Sequence, residues 1–422
     1  MRNASARLVA SCLVSFVVAV GVSARQTPDA VVVVSGGVVY PAPQSPPISD
    51  AVVVIRNGAI ASVGVRGSVQ IPAGATVIDA TGLTVTAGFW NSHVHFLQRK
   101  WANAAAMPAR DLERQLQDML TRFGFTTVFD TWSAWENTRV IRDRVESGEV
   151  RGPKMLSTGE AIYGQGGEVA EATWGMLGFM NRQLFRMSRV ATADDATTAA
   201  RRLLDAGTDG IKVYAATPGS QPTIVPEAAI AAAVVETHRR GKIAFAHPSS
   251  LTGLMSSVRA GVDVLTHTTP QSGPWDEATV REMKAARVAL IPTLKLWAYE
   301  TRHESITLTD RFVDTAVGQL SAWHQAGGTT LFGTDVGYMS EYETADEFRL
   351  LARAGLTYRD ILTTLTTAPA ERFAAADRVG QIKVGLRGDL VLLEGDPARD
   401  VQAFTRVRSV LRDGRVIYEA RR

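Results

Sequence analysis

The stretch "LTVTAGFWNSHVHF", residues 83–96, decides how the rest of the chain is read. It is an apolar, β-prone run that ends in His93 and His95, one residue apart. Side chains at i and i+2 of a strand point to the same side. The pair therefore leaves the end of one strand together, the closest spacing at which two strand imidazoles can grip one ion. The chain has seven histidines in 422 residues, so two at one strand end call for a reason.

Working outward, residues 84–370 alternate strand-like and helix-like patterns. The strand-like runs are "LTVTAGFW", "FTTVFDTW", "PKMLSTGEA", "GIKVYAA", "KIAFAHP", "VDVLTHT", "VALIPTLKLW" and "TTLFGTDVG". Between them, Leu112, Leu116, Met119 and Leu120 share one helical face, and "TADDATTAARRLLDAG" opens on a capping threonine and closes on Gly207. Near-continuous apolar strands suit a parallel sheet buried on both faces. Eight βα units in a row predict an α/β fold, a TIM-type (β/α)8 barrel with its site at the C-terminal ends of the strands. The two chain ends, residues 25–83 and 371–422, carry short valine-rich runs split by "GG", "NG", "TG" and "DG" turns. They are expected to pair into one small β-sandwich domain, with "PAPQSPP" as a surface loop.

Hydrophobic residues make up 45% and charged residues 21%, a globular balance. The net charge of +3 includes no basic tract and excludes a nucleic-acid footprint. Residues 1–24 read as a secretory signal peptide: Arg2 and Arg7, then a broken apolar run, then Val22, Ser23 and Ala24 before the expected cut. The run from Leu8 to Val22 rises only about 22 Å as a helix, short of a roughly 30 Å hydrocarbon core. The expectation is a secreted or periplasmic chain with no stable membrane span after cleavage; an uncleaved anchor is the alternative. Cleavage also removes Cys12, the only cysteine, so a metal site must use imidazole and oxygen ligands.

The barrel reading selects the candidates. Strand one ends in His93 and His95, strand four carries Lys212, strand five ends in His247, strand six in His267 and strand eight in Asp335. Singly, each has a plain alternative: a hydrogen-bonded core or rim histidine, a lysine paired with Asp209, an aspartate capping a loop. Together they place four of the seven histidines at strand ends. His238, His303 and His324 fall in helical or loop stretches, where the plain alternative holds. Lys212 follows an isoleucine in a buried strand, where an unpaired ammonium is costly. A neutral amine that adds carbon dioxide becomes a carbamate, an anion with two ligand oxygens.

The residues "SHVH", "IKVY", "AHP", "LTHT" and "GTD" resemble the amidohydrolase superfamily, within it the imidazolonepropionase-like group that includes Xaa-Pro and Xaa-Arg dipeptidases. The resemblance extends over "ATVIDATGLTVTAGFWNSHVH" and "GQIKVGLRGDLVLLEGDP". It implies a binuclear centre. His93, His95 and Asp335 would hold one divalent ion, His247 and His267 the second, and carboxylated Lys212 would bridge them. Zinc is the first choice, with manganese or cobalt as alternatives. A water shared by two ions would lose a proton near neutral pH. Asp335 would take that proton and deliver it to the leaving amine. The expected reaction is hydrolysis of an amide in a dipeptide or N-acyl amino acid.

Several positions depart from the family pattern. Asn91 stands for the usual aspartate before the histidine pair, and Ala87 for a proline. "YGQGGEV", with Gln165 and Glu168, lacks the histidine that dipeptidases often place after strand three, and Met255 stands near where they carry a tyrosine. This weakens a dipeptide assignment and leaves the acyl-amide class intact. Trp132, Trp135, Trp275 and Trp297 lie on loops after strands two, six and seven and suit an apolar acyl wall, or else plain rim packing. Tyr163, Gln165, Tyr214 and Lys295 are candidate polar contacts. Rival readings are a mononuclear deaminase or cyclic-amidine hydrolase, a lactonase or esterase on the same centre, and a non-catalytic barrel. The deaminases carry a glutamate where Ser249 and Ser250 stand here. Homo-oligomerisation is left open.

Overall fold

The structure is a computed structural model and describes residues 31–165, 188–217 and 223–421. The expected signal peptide and Glu168 lie outside the described residues.

The N-terminal part contributes β1 (Val31–Val39), β2 (Ile48–Arg56), β3 (Ala59–Val65), β4 (Thr76–Asp79) and β5 (Leu83–Ala87). The "NG" signal makes the β2–β3 hairpin: Asn57 and Gly58 both take positive φ, 51° and 83°. That is the conformation a tight two-residue hairpin turn needs.

The middle segment begins with β6 (Phe89–Val94), β7 (Phe125–Asp130) and β8 (Lys154–Ser157), all parallel. It continues through β9 (Ile162–Gly164), β10 (Ser188–Val190), β11 (Gly210–Tyr214), β12 (Ile243–His247), β13 (Val264–Thr266), β14 (Ala289–Ile291) and β15 (Thr329–Thr330). These pair in the order β10–β9–β11–β12–β13–β14–β15. Backbone hydrogen bonds close the ring. Asp209 N donates to Ser157 O (2.7 Å), joining β8 to the start of β11, while Ser92 N donates to Phe332 O (2.8 Å) and Asp335 N to His93 O (2.9 Å), joining the last strand to β6. The eight barrel strands are those the sequence predicts; β9 and β10 form an additional parallel pair beside them. The helix Ala193–Asp205 opens on Thr192 with a reciprocal cap to Asp195, as its sequence predicts.

Strand alternation sorts the barrel into two cores. Phe129, Ile243, Phe245, Val264, Ala289, Ile291 and Leu331 fill the interior together with Phe373. Val128, Ile211, Val213, Ala244, Ala246, Leu265 and Leu290 pack outward with helix residues such as Leu254 and Met283. The interior is thus plugged with aromatic and branched side chains, and the polar candidates sit in its mouth.

The C-terminal strands β16 (Leu390–Glu394), β17 (Val407–Arg412) and β18 (Arg415–Glu419) return to the first domain. The sheet order is β18–β17–β16–β5–β1–β2–β3, with β4 also on β1. The hydrogen bonding is therefore one continuous sheet rather than two separate layers, because β5 pairs with β1 on one side and β16 on the other. Leu83–Ala87, expected to open the first barrel strand, belongs to this sheet, and the barrel strand starts at Phe89. The expected seventh strand also ends early. After Ile291 the chain passes Pro292, which has no N–H for a ladder, and Leu294–Glu300 is helical. The Glu347 carboxylate accepts the N–H groups of Leu294 (3.0 Å) and Lys295 (2.8 Å) that this helix start exposes.

Candidate active site

All six predicted ligand positions meet in one pocket. His93 Nε2 lies 3.1 Å from His95 Nε2 and 3.3 Å from Lys212 Nζ. Asp335 Oδ1 is 2.7 Å from His95 Nε2 and 3.3 Å from His93 Nε2. The His267 ring sits 4.8 Å from that of His93 and 4.7 Å from that of His247. One donor atom each from His93, His267 and Asp335 falls within 4.8 Å of the others. His93, His95, Lys212, His267 and Asp335 are buried, and His247 nearly so.

Backbone geometry explains how the ligands from strands six and eight get there. Alternation aims Lys212 and Tyr214, and likewise His247, inward with Phe245. On β13 it would aim His267 outward with Leu265. Instead His267 takes φ 75° at the strand end, which turns its ring in toward His93 and His247. Asp335 (φ 59°) and Thr293 (φ 44°) are also left-handed. For non-glycine residues, and above all β-branched Thr293, that is strained, and strain of this kind clusters at functional sites.

The partners of the rings set which nitrogen is free. His95 Nδ1 donates to Trp132 O (2.8 Å), and His267 Nδ1 bonds Thr293 Oγ1 (2.5 Å). The carbonyl bond fixes Nδ1–H on His95 and leaves its Nε2 with a lone pair toward the cluster, and when Thr293 accepts from His267 Nδ1 the same holds for that ring. Burial, reinforced by neighbouring Lys212 and histidine charges, pushes His93, His247 and His267 well below the ordinary imidazole range, so they are neutral ligands. Burial lowers Lys212 to about 8 despite the opposing pull of Asp335 and Asp130. Among the described residues Asp335 Oδ1 has no hydrogen-bond donor although it is buried. Four imidazoles, an amine without a touching carboxylate and an orphaned carboxylate oxygen are the donor set a metal centre requires, and they fit one.

Asn91 acts beside the ligands. Its Oδ1 accepts from His93 N (3.2 Å) and Thr334 N (3.2 Å), and its Nδ2 donates to Thr334 Oγ1 (2.7 Å). An amide, unlike the aspartate the family pattern usually has there, can do both. Asp130 and Ser133 were not singled out by sequence. Ser133 Oγ donates to Asp130 Oδ1 (2.6 Å) and accepts from Phe96 N (2.7 Å), fixing the turn whose Trp132 carbonyl orients His95.

The aromatic candidates divide. Tyr163 stacks on Tyr214 (4.5 Å), and Tyr214 on His247 (4.4 Å). Trp132 meets Tyr163, Tyr214 and His95 edge-on. Trp297 reaches His267 at 6.5 Å and donates to Thr268 Oγ1. These four border the ligand cluster. Trp275 is buried and bonded to Thr269, and Trp135 is bonded to the Ala206 carbonyl under Arg142, so both are packing residues. Gln165 has an exposed side chain. Lys295 turns to the carbonyls of Glu341 and Glu343 rather than to the ligands. His238 pairs with Asp263 and His324 approaches Asp360, both outside the cluster.

A buried barrel-mouth cluster of this kind defines a metal-dependent hydrolase of the (β/α)8 class. The sequence model of the Amidohydrolase family matches residues 84–417, and the chain belongs to that family, whose members need metal. It is a hydrolase acting on carbon–nitrogen bonds. Ochratoxinase of Aspergillus niger is 24% identical over 90% of this chain and 84% of its own length. The structure of a Xaa-Pro dipeptidase with bound methionine in its active site has a TM-score of 0.78 at 20% identity, covering 93% of this chain and all of that one. That of A. niger ochratoxinase has a TM-score of 0.75 at 21% identity, covering 93% and 96%.

Proposed function

We propose that the chain is a binuclear hydrolase of amide bonds in dipeptides or N-acyl amino acids with an apolar or aromatic acyl part. The observation that carries this reading is the meeting of Lys212 with four imidazoles and Asp335 in one buried mouth. Two divalent ions, zinc by preference for this donor set, would be held by His93, His95, Asp335, His247, His267 and a carbamate formed on Lys212, and would supply Lewis acidity and an acidified water. The chain's own groups do the rest. Asp335 accepts the proton of the attacking water and hands it to the leaving nitrogen, a role its orphaned oxygen supports. Trp132, Tyr163, Tyr214 and Trp297 exclude bulk water from that transfer and pack the acyl group.

Residues 1–24 support export of the chain with removal of a signal peptide. Among the described residues no helix is long and apolar enough to cross a membrane. The mass of the exported chain tests this: a mass that includes residues 1–24 rules out cleavage.

The central experiment loads the mature chain with zinc, manganese or cobalt, counts bound metal, and screens dipeptides, N-acyl amino acids, cyclic amides and lactones. Two ions per chain with turnover of linear amides is the expected result. One ion per chain overturns the binuclear reading, and turnover confined to lactones overturns the amide reading.

A further inference from the structure

Two loops that sequence alone did not connect meet above the ligand cluster. The helix Leu294–Glu300 leaves the C-terminal end of β14, beside His267. Its Trp297 ring faces His267. Glu300 lies three residues on, so it follows the same helix face toward the same opening. Tyr338 arrives from the loop after the neighbouring strand β15, three residues after Asp335. Its hydroxyl donates to Glu300 Oε1 at 2.8 Å, and its ring meets that of Tyr299 at 6.3 Å. The Asp335 charge reaches both: it adds to burial in raising the pKa of Glu300 and of Tyr338.

Glu300 is nonetheless open to solvent and makes no ion pair among the described residues. The cation two residues away, Arg302, opposes part of that rise through its charge but does not bond the carboxylate: its guanidinium lies 3.8 Å over the Tyr299 ring and bonds the Tyr299 carbonyl. What remains, among the described residues, is a carboxylate held by one hydrogen-bond donor, Tyr338, one helical turn from the Trp297 that borders the ligand cluster. That chemistry takes an ammonium or guanidinium, through a charge-assisted hydrogen bond. A substrate anion there would meet two carboxylates, Glu300 and Asp335.

We propose that Glu300, positioned by Tyr338, is the specificity-determining residue that selects amide substrates carrying a positively charged group close to the scissile bond. The inference rests on the amide-hydrolase reading above. The cation has two sources, an α-ammonium or a basic side chain, and matched substrates separate them: Phe-Ala against 3-phenylpropanoyl-Ala for the first, Phe-Lys against Phe-norleucine for the second. Steady-state kinetics of zinc-loaded enzyme should show Glu300→Gln losing about tenfold in kcat/KM, through KM, on the charged member of one pair. The neutral member should change less than about twofold. Tyr338→Phe, which frees the carboxylate without removing it, should lose part of the same preference. Should Glu300→Gln fail to fold, Tyr338→Phe carries the test. An unchanged charged-to-neutral ratio in both pairs overturns the inference while the amide reading stands. No turnover of any of the four substrates by the wild type overturns both.

Discussion

Gly337 and His95 are packed so closely that a methyl group on Gly337 would lie 1.8 Å from the His95 carbonyl oxygen. Gly337 also takes φ +99°, a conformation that side chains disfavour. One residue earlier, Val336 O accepts the N–H of His95 at 2.8 Å. The loop after the last strand is thus laid directly on the strand that carries the histidine pair. This contact brings Asp335 to His95.

Gly337→Ala should therefore separate the two strands at the point where ligands from each must meet. Backbone clash and left-handed strain together should cost on the order of 2–4 kcal/mol, with loss of bound metal before loss of the fold. Thermal unfolding and metal content of the purified variant check this. A variant with wild-type metal content and midpoint would show that the loop relaxes without disturbing Asp335.

Lys212 gives the second prediction. A buried lysine with His93 Nε2 as its only hydrogen-bond partner among the described residues has little structural purpose as an ammonium. Lys212→Ala should lose bound metal and turnover, and short-chain carboxylic acids such as acetate or propionate should restore part of both by filling the space of a carbamate. Rescue by amines but not by acids would contradict the carbamate.

How far the sequence led can be seen by following single residues. Lys212 and His247 were legible because strand alternation alone carries them inward; His93 and His95 were legible as a pair by their i, i+2 spacing, while the irregular pairing of β6 between Asn91 and Val94 sets which side they face. His267 was placed at its strand end, yet alternation would have sent it outward beside Leu265. Only the φ of 75° brings it in, and no pattern of apolar residues encodes one dihedral. The helix Leu294–Glu300 was hidden for a related reason. "VALIPTLKLW" is apolar throughout, so its composition fits strand or helix equally; the stop at Pro292 and the distant Glu347 carboxylate decide it. Glu300 and Tyr338 escaped notice because they are 38 residues apart and neither belongs to a motif.

Asp335 supports the third prediction. Its Oδ1 lies 2.7 Å from His95 Nε2 and lacks a donor among the described residues, which suits a group that accepts and releases a proton. Asp335→Asn keeps the shape and one acceptor oxygen but removes the base. Turnover should fall by about 10²–10⁴-fold, with the thermal midpoint shifted by only a few degrees. Metal content is measured alongside, and an asparagine variant that retains metal and full kcat would remove Asp335 from the proton path.

The fourth prediction concerns stability against pH, at a residue that holds up the mouth without touching the ligands. Burial raises Glu347 to about 7, against 4.5 for the unconstrained side chain, although it accepts two backbone N–H groups and faces Lys295. Between those two values the folded chain keeps a proton that the unfolded chain has lost, so stability falls as pH rises from about 4.5 to about 7. The contribution is at most roughly 3 kcal/mol over that window. Glu347→Gln removes the titration and one of the two acceptors. It should be less stable than wild type near pH 5, by about 1 kcal/mol, and should lose less stability on going to pH 7. Asp389, which burial raises to about 6, keeps part of the slope below that pH in both proteins. Urea unfolding at several pH values, with equal slopes in wild type and variant above pH 6, would show that Glu347 is ionised throughout and that the buried helix start tolerates its charge.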